Sequence, residues 1–323
     1  MQYIETAVFE WEAFLTDSWQ TNVAIYRKCG EQLIDEAGLD SAIKLYFSNI
    51  ASGSFDDDIR IYVDNRSIGH QELFGFALNK IQSIEDFSNC VQRETLKKGN
   101  VQFGVIVNNI GKYVPRSQQL ASIFLKPMIE KLGVPIADLE MGVFAGNYKT
   151  TPFGIHRDIG NDNFTFCISG SKRFLLWPLN YFDLRRNDGN RVWTSDGSRI
   201  FCESSQYEKF RKDAFSVTIN PGDILYWPDC WHTVDNETDN FHSSLSIGLW
   251  SEIDLIDLLT KCVQNQLKKQ SKANQIATGY ATGNQPQFLT DAAILFDIID
   301  DRRTIENALS SWWTTRLSGG GFS

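Results

Sequence analysis

Three residues of this chain have the types and spacing of a metal-ligand set: His156, Asp158 and His232. His156-Arg157-Asp158 is an H-x-D motif. In a strand, residues i and i+2 point to the same face, so both side chains can reach one ion from one direction. His232 comes 74 positions after Asp158, just past an apolar run that ends at Trp227. Two imidazoles and one carboxylate on one face form the facial triad of non-haem ferrous oxygenases, which leaves metal positions open for a cosubstrate and oxygen. The short motif alone is weak. With four His and 40 Asp or Glu in 323 residues, an H-x-acid match is expected roughly half the time by chance. Taken bare, it reads more often as a surface histidine beside a solvated aspartate.

The elements around the three residues sharpen that reading. From Leu139 to Leu249 the pattern is short strands split by turn residues. The strand candidates are Glu140–Ala145, Phe164–Ile168, Arg173–Trp177, Ala214–Ile219, Ile224–Trp227 and Ser244–Leu249. Gly170, Asn187-Asp188-Gly189 and Pro221-Gly222-Asp223 supply turn signals. Many short strands with Gly and Pro punctuation predict a sandwich or jelly roll. His156 follows one strand through a Gly/Thr/Pro turn, and His232 follows a tight turn, an apolar strand and the stop at Pro228. His232 is thus expected at a strand end on a rigid scaffold.

Several further pieces recur in order: Thr151-Pro152 before His156, Asn163-Phe164, Gly170-Ser171-Lys172-Arg173, Pro221-Gly222-Asp223-Ile224-Leu225-Tyr226, Trp231-His232, and Ser246-Ile247-Gly248-Leu249-Trp250. In this order and spacing the region resembles the jumonji-type (JmjC, cupin-like) oxygenases that use Fe(II) and 2-oxoglutarate. Among them it looks most like the protein hydroxylases, the asparaginyl hydroxylase and the ribosomal oxygenases. Ser18 to Ile25 is loosely similar to their N-terminal strand. The resemblance implies a mainly β fold with flanking helices. Its core is a double-stranded β-helix over about 139–250, within a domain spanning 1–251 that opens with α/β elements. It implies iron on His156, Asp158 and His232, and Lys172 paired with the far carboxylate of 2-oxoglutarate. Thr151 is the candidate for a second contact to that carboxylate, and Asn163 for a contact to the cosubstrate or the ligand shell. Two departures stand out. Phe153-Gly154-Ile155 lengthen the step from Thr151 to His156, so Thr150 or Thr165 are alternatives. The strand Val101–Val107 carries Phe103 where relatives carry a cosubstrate-binding tyrosine, so that hydroxyl comes from elsewhere or is missing.

The implied activity is hydroxylation of an unactivated C–H with 2-oxoglutarate and O2, on an amino-acid side chain of a protein or peptide. A small-molecule hydroxylase of the same class, a metal-binding cupin that is not an oxygenase, and a silent JmjC binding module are the alternatives. On the residues alone, Lys172-Arg173 reads more readily as a solvated hairpin turn. A dicarboxylate in a dry pocket, however, needs a cation, with Arg173 facing out. His70 reads as a surface turn residue, His242 as structural, Cys230 as a packed thiol, and Trp231 and Trp250 as packing residues.

The rest of the chain is expected to frame this core. Val23–Tyr26 and Ile59–Val63 read as strands; Leu33–Phe47, Asp86–Leu96 and Ser117–Leu132 read as helices, the last stopped by Gly133. The insert Asn180–Asp213 carries seven Arg and Lys, among them Arg185, Arg186, Arg191, Arg199 and Arg211, and is a candidate groove wall. Residues 252–323 form a C-terminal helical region in which Leu255 to Leu267 is amphipathic. A homodimer face, a substrate-binding module and simple intramolecular docking are all open there. A net charge of −9 argues against a sequence-independent nucleic-acid binder. There is no signal-peptide pattern near Met1 and no apolar run long enough for a membrane span, so a cytoplasmic protein is expected. Six scattered cysteines without a C-x-x-C read as free thiols.

Overall fold

The computed structural model describes residues 3–30, 33–52, 58–69, 72, 80–94, 101–135, 137–183, 192–193, 197–252, 306–307 and 309–310. His70, Arg185, Arg186, Arg191, Cys262 and the helices expected beyond 252 lie outside them. The chain divides into two compact units, Met1–Ser251 and Glu252–Ser323, and the architecture below is that of the first.

The N-terminal part runs β1 (Tyr3–Thr6), α1 (Trp11–Asp17), β2 (Val23–Tyr26), α2 (Glu36–Ala51), β3 (Ile59–Val63), β4 (Arg66–Ile68), α3 (Ile84–Glu94), β5 (Phe103–Val107) and α4 (Pro115–Leu132). The expected helix at Leu33 starts three residues later. Asp35 caps it, its carboxylate accepting from the Gly38 N–H at 2.8 Å, which is the role a short acidic side chain plays at that position. Pro115 opens α4, where its missing N–H costs nothing, and Gly133 ends it at φ +87°.

The core then runs β6 (Asp138–Gly146), β7 (Ile155–His156), β8 (Asn161–Ser169) and β9 (Lys172–Trp177). An insert of β10 (Val192–Trp193), β11 (Arg199–Phe201) and α5 (Ser204–Asp213) follows. The core closes with β12 (Phe215–Ile219), β13 (Ile224–Trp227), β14 (Trp231–Val234) and β15 (His242–Trp250). One sheet has the order β1-β2-β13-β8-β15-β6-β5-β3-β4, the other β10-β11-β7-β14-β9-β12. The eight core strands pair antiparallel, β6, β8, β13 and β15 in one sheet and β7, β9, β12 and β14 in the other, and the chain changes sheet at every step except from β9 to β12. This is the double-stranded β-helix.

Strand alternation explains what each sheet buries. Phe174 and Leu176 of β9 point between the sheets, meeting Val23, Leu225 and Trp227. Leu175 and Trp177 point the other way and are covered by the insert, through Phe182, Ile200 and Phe210. β9 is therefore buried on both faces, which is why it lacks the polar alternation of a surface strand. On the outer face of the larger sheet, Phe14 of α1 and Phe124 of α4 pack on Phe164.

Candidate active site

His156 and His232 lie directly opposite each other where β7 pairs with β14. Their ring centroids are 4.1 Å apart, and His232 Nε2 is 3.7 Å from an Asp158 carboxylate oxygen. One candidate ligand atom from each of the three residues lies within 4.8 Å of the others. Each imidazole is oriented by its own chain: His156 Nδ1–H donates to the Gly154 carbonyl and His232 Nδ1–H to the Cys230 carbonyl, both at 3.2 Å. That leaves both Nε2 lone pairs facing the same point, the arrangement metal-binding histidines require. Burial and then the neighbouring His232 ring push the His156 pKa down to about 3, so its imidazole is neutral and able to ligate.

Two details differ from the strand-face expectation. His232 lies within a strand, not past one. Asp158 lies beyond the end of β7, which stops at His156. The chain turns because the Arg157 N–H donates to the Ser198 carbonyl and the Asn161 N–H to the Asp158 carbonyl. A bidentate ion pair holds this turn: Arg157 Nε and Nη2 donate to the two Asp229 oxygens at 2.7 and 2.6 Å, and Gly160 N–H donates to Asp229 at 2.9 Å.

Lys172 shares the inward parity of Phe174 and Leu176, and is 2% exposed. Its ammonium donates to the Ser244 hydroxyl at 2.8 Å. Around it stand the rings of Phe144, Phe174 and Tyr148, at 5.2, 5.4 and 5.8 Å. It has no carboxylate partner among the described residues, and burial pushes its pKa down to about 7. A buried ammonium with one hydroxyl and three aromatic faces is poorly compensated unless an anion joins it. Arg173, of opposite parity, points to the other face. It is not free in solvent there, but bonds Asp235 and Glu237.

Asn163 is buried and borders an open pocket of about 190 Å³ together with His156 and Asp158. Its carbonyl oxygen accepts from Thr165 Oγ1 at 3.0 Å, and Thr165 bonds Ser246 at 2.7 Å. Thr151 is buried too, but its hydroxyl turns back to accept from the Phe153 N–H at 3.5 Å; no hydrogen bond joins it to Lys172, whose ammonium donates to Ser244. Ser244 and Tyr148 are the neighbours of Lys172 that sequence reading missed. The clue to Tyr148 lay in Gly104: a β-carbon there would come within 3.1 Å of the Tyr148 ring, so the strand expected to carry a tyrosine instead makes room for one. His242 is fully buried, donating Nε2–H to the Tyr148 carbonyl at 3.2 Å with Nδ1 unpartnered. Burial and then Lys172 push its pKa down to about 3. Cys230 is a packed thiol whose carbonyl orients His232. Of the insert, Arg199 reaches the pocket rim while Arg211 is tied to Asp235 at 2.6 Å.

Two imidazoles and one carboxylate fit a ferrous ion, and a buried cation without a carboxylate partner fits an anionic cosubstrate. The described cysteines Cys29, Cys90, Cys167, Cys202 and Cys230 are all free. No helix among the described residues is long and apolar enough to cross a membrane.

The family described as the cupin-like domain matches residues 48–250. No curated protein matches the chain. Among solved structures it is similar to Escherichia coli YcfD, with 14% identity over 94% of this chain and 71% of that one and a TM-score of 0.47. It is likewise similar to YcfD, described as a ribosomal oxygenase, in complex with cobalt and succinic acid, with 13% identity, 94% and 70% coverage and a TM-score of 0.46. The complex of YcfD with cobalt and 2-oxoglutarate matches at 14% identity, 94% and 70% coverage and a TM-score of 0.44.

Proposed function

The chain belongs to the cupin-like domain family, and from that premise we propose that it is an Fe(II)- and 2-oxoglutarate-dependent oxygenase that hydroxylates an unactivated C–H on an amino-acid side chain of a protein or peptide. One observation carries the reading: a His-Asp-His set on one side of the barrel is accompanied by a buried lysine with no carboxylate of its own. A metal-binding cupin that used no keto acid would have no duty for that lysine.

In this reading His156, Asp158 and His232 hold the iron. When bound, the iron and 2-oxoglutarate supply oxygen activation coupled to decarboxylation of the keto acid. The protein's part is binding, orientation and exclusion of water. Lys172 and the Ser244 hydroxyl hold the far carboxylate, in a setting where three aromatic rings keep water away. Asn163 borders the pocket beside His156 and Asp158 and offers its amide to the cosubstrate or the ligand shell. Thr151 is the weaker candidate for that carboxylate, because its hydroxyl is engaged with Phe153.

The test is succinate formation from 2-oxoglutarate by the purified protein with added ferrous ion, alongside melting curves with and without the keto acid. Turnover and a raised Tm are expected in the wild type, and neither in Lys172→Met. A wild-type protein that binds metal yet neither binds nor consumes 2-oxoglutarate would sink the reading.

A further inference from the structure

The inward faces of β8 and β15 form a ladder of cross-strand pairs. Cys167 lies opposite Ser244, Thr165 opposite Ser246, Asn163 opposite Gly248, and Asn161 opposite Trp250. The inner end of this ladder is the Ser244 hydroxyl on Lys172. Its other end is the rung Asn161–Trp250, which borders the pocket with Asp158 and Arg199.

Asn161 is 4% exposed, yet its carboxamide oxygen has no hydrogen-bond partner. Neither its amide nitrogen nor the Trp250 indole nitrogen forms a hydrogen bond among the described residues. The two side chains converge over Gly248: a β-carbon there would lie 3.1 and 3.2 Å from the Asn161 carboxamide atoms and 3.2 Å from Trp250 Nε1. A buried carboxamide is normally paired. One left open beside a metal-binding pocket, next to a second unused donor, is a binding group awaiting a ligand.

The chemistry of that ligand follows from what it must supply. A carboxamide presents one acceptor and donors, whichever way it is turned, and the indole presents a donor. The complement is a group with an acceptor oxygen and an N–H. A carboxylate or an ester has no donor for the Asn161 oxygen, and an ammonium or guanidinium has no acceptor for the two N–H groups. We propose that Asn161 and Trp250, over the floor left open by Gly248, form a subsite that binds an amide group of the substrate, either a backbone peptide bond or a side-chain carboxamide. Its role as a substrate subsite rests on the oxygenase reading of the pocket; the amide binding itself does not.

The experiment is a titration of the full-length protein, with no metal or keto acid added, following the Trp250 indole 1H–15N signal, which is identified by its loss in Trp250→Phe. Four probes share one phenyl ring: benzamide, N-methylbenzamide, methyl benzoate and benzyl alcohol. The amides are expected to shift the signal saturably and the ester and alcohol at least about tenfold more weakly, since a site built to hydrogen-bond discriminates against analogues that leave its groups unpaired. Preference for benzamide points to a side-chain carboxamide, and preference for N-methylbenzamide to a peptide bond. Asn161→Ala is expected to lose at least about tenfold in amide affinity. Gly248→Ala, which fills the floor without removing either polar group, is expected to do the same and serves if Asn161→Ala does not fold. Equal binding of ester and amide, or amide binding unchanged in the folded variants, overturns the inference. Loss of amide selectivity with 2-oxoglutarate still consumed leaves the oxygenase reading standing, whereas selective amide binding without any 2-oxoglutarate turnover overturns that reading and leaves the subsite.

Discussion

His156 and His232 occupy the same rung of the β7–β14 pair, so the separation of the two imidazole ligands is set by the spacing of hydrogen-bonded strands. Backbone carbonyls two residues upstream fix both rings. The third ligand is held differently. Asp158 is in a turn beyond the strand, and its position relative to His232 depends on the Arg157–Asp229 ion pair, which ties that turn to the segment just before β14.

Removing any of the three ligands should abolish metal binding while the barrel persists, because none of them belongs to the apolar core clusters. For His156→Ala, Asp158→Ala and His232→Ala, cobalt binding measured by chelator competition is expected to fall by at least about a hundredfold, with succinate formation lost alongside it. A His156→Ala protein with full turnover would remove the metal assignment.

The Arg157–Asp229 pair should act on metal affinity without touching the ion. Asp229→Asn removes the ion pair while leaving an oxygen for the Gly160 N–H, and Arg157→Ala removes it from the other side. Each is expected to weaken metal affinity roughly tenfold, the scale seen for groups that orient ligands, with a smaller change in stability because the pair is part-exposed. Wild-type metal affinity in both variants would show that the turn is held by other contacts.

Lys172 should make stability depend on pH. The unfolded chain binds this proton up to about 10.5, the folded protein only up to about 7. Between those values the unfolded state carries the extra proton, so stability rises with pH through that window, by at most about 1.4 kcal/mol per unit. Below about 7 both states are protonated and the full cost of burying the ammonium remains. Lys172→Met should remove the rise, as read from urea midpoints across the window. A bound dicarboxylate restores the charged form, so 2-oxoglutarate binding inside the window should take up protons, measurable by calorimetry in two buffers of different ionisation enthalpy. Proton release would contradict the pairing.

Gly170 sits two residues before Lys172 at φ +70°, and a β-carbon there would come within 2.3 Å of the Phe241 carbonyl. Gly170→Ala therefore combines backbone strain with a clash against the start of β15. A loss of at least about 2 kcal/mol is expected from the denaturant midpoint, together with weaker 2-oxoglutarate binding, because the same turn sets the register of β9. A neutral effect on both would show that the turn relaxes easily.

Much of this protein was legible in its residues. The strand pattern from 139 to 249, the turn at Pro221-Gly222-Asp223, the H-x-D and the distal histidine predicted a jelly roll carrying a metal set, because period-2 burial and turn chemistry are local properties that a sequence displays. The parity of β9 likewise separates Lys172 from Arg173 once the strand is recognised. What stayed hidden depends on contacts between distant segments. Nothing near Lys172 in sequence announces Ser244 or Tyr148, which reach it only through strand pairing and the space left at Gly104. Thr151 has the right type and the right order, yet its loop turns the hydroxyl back on itself. Trp250 reads as a packing residue and Asn161 carries no signal of its own, and only the register of β8 against β15 sets them side by side with their hydrogen-bonding groups open. Local sequence decides which residues form strands and which face they show; tertiary structure decides which faces meet, and so which polar groups are left without a partner.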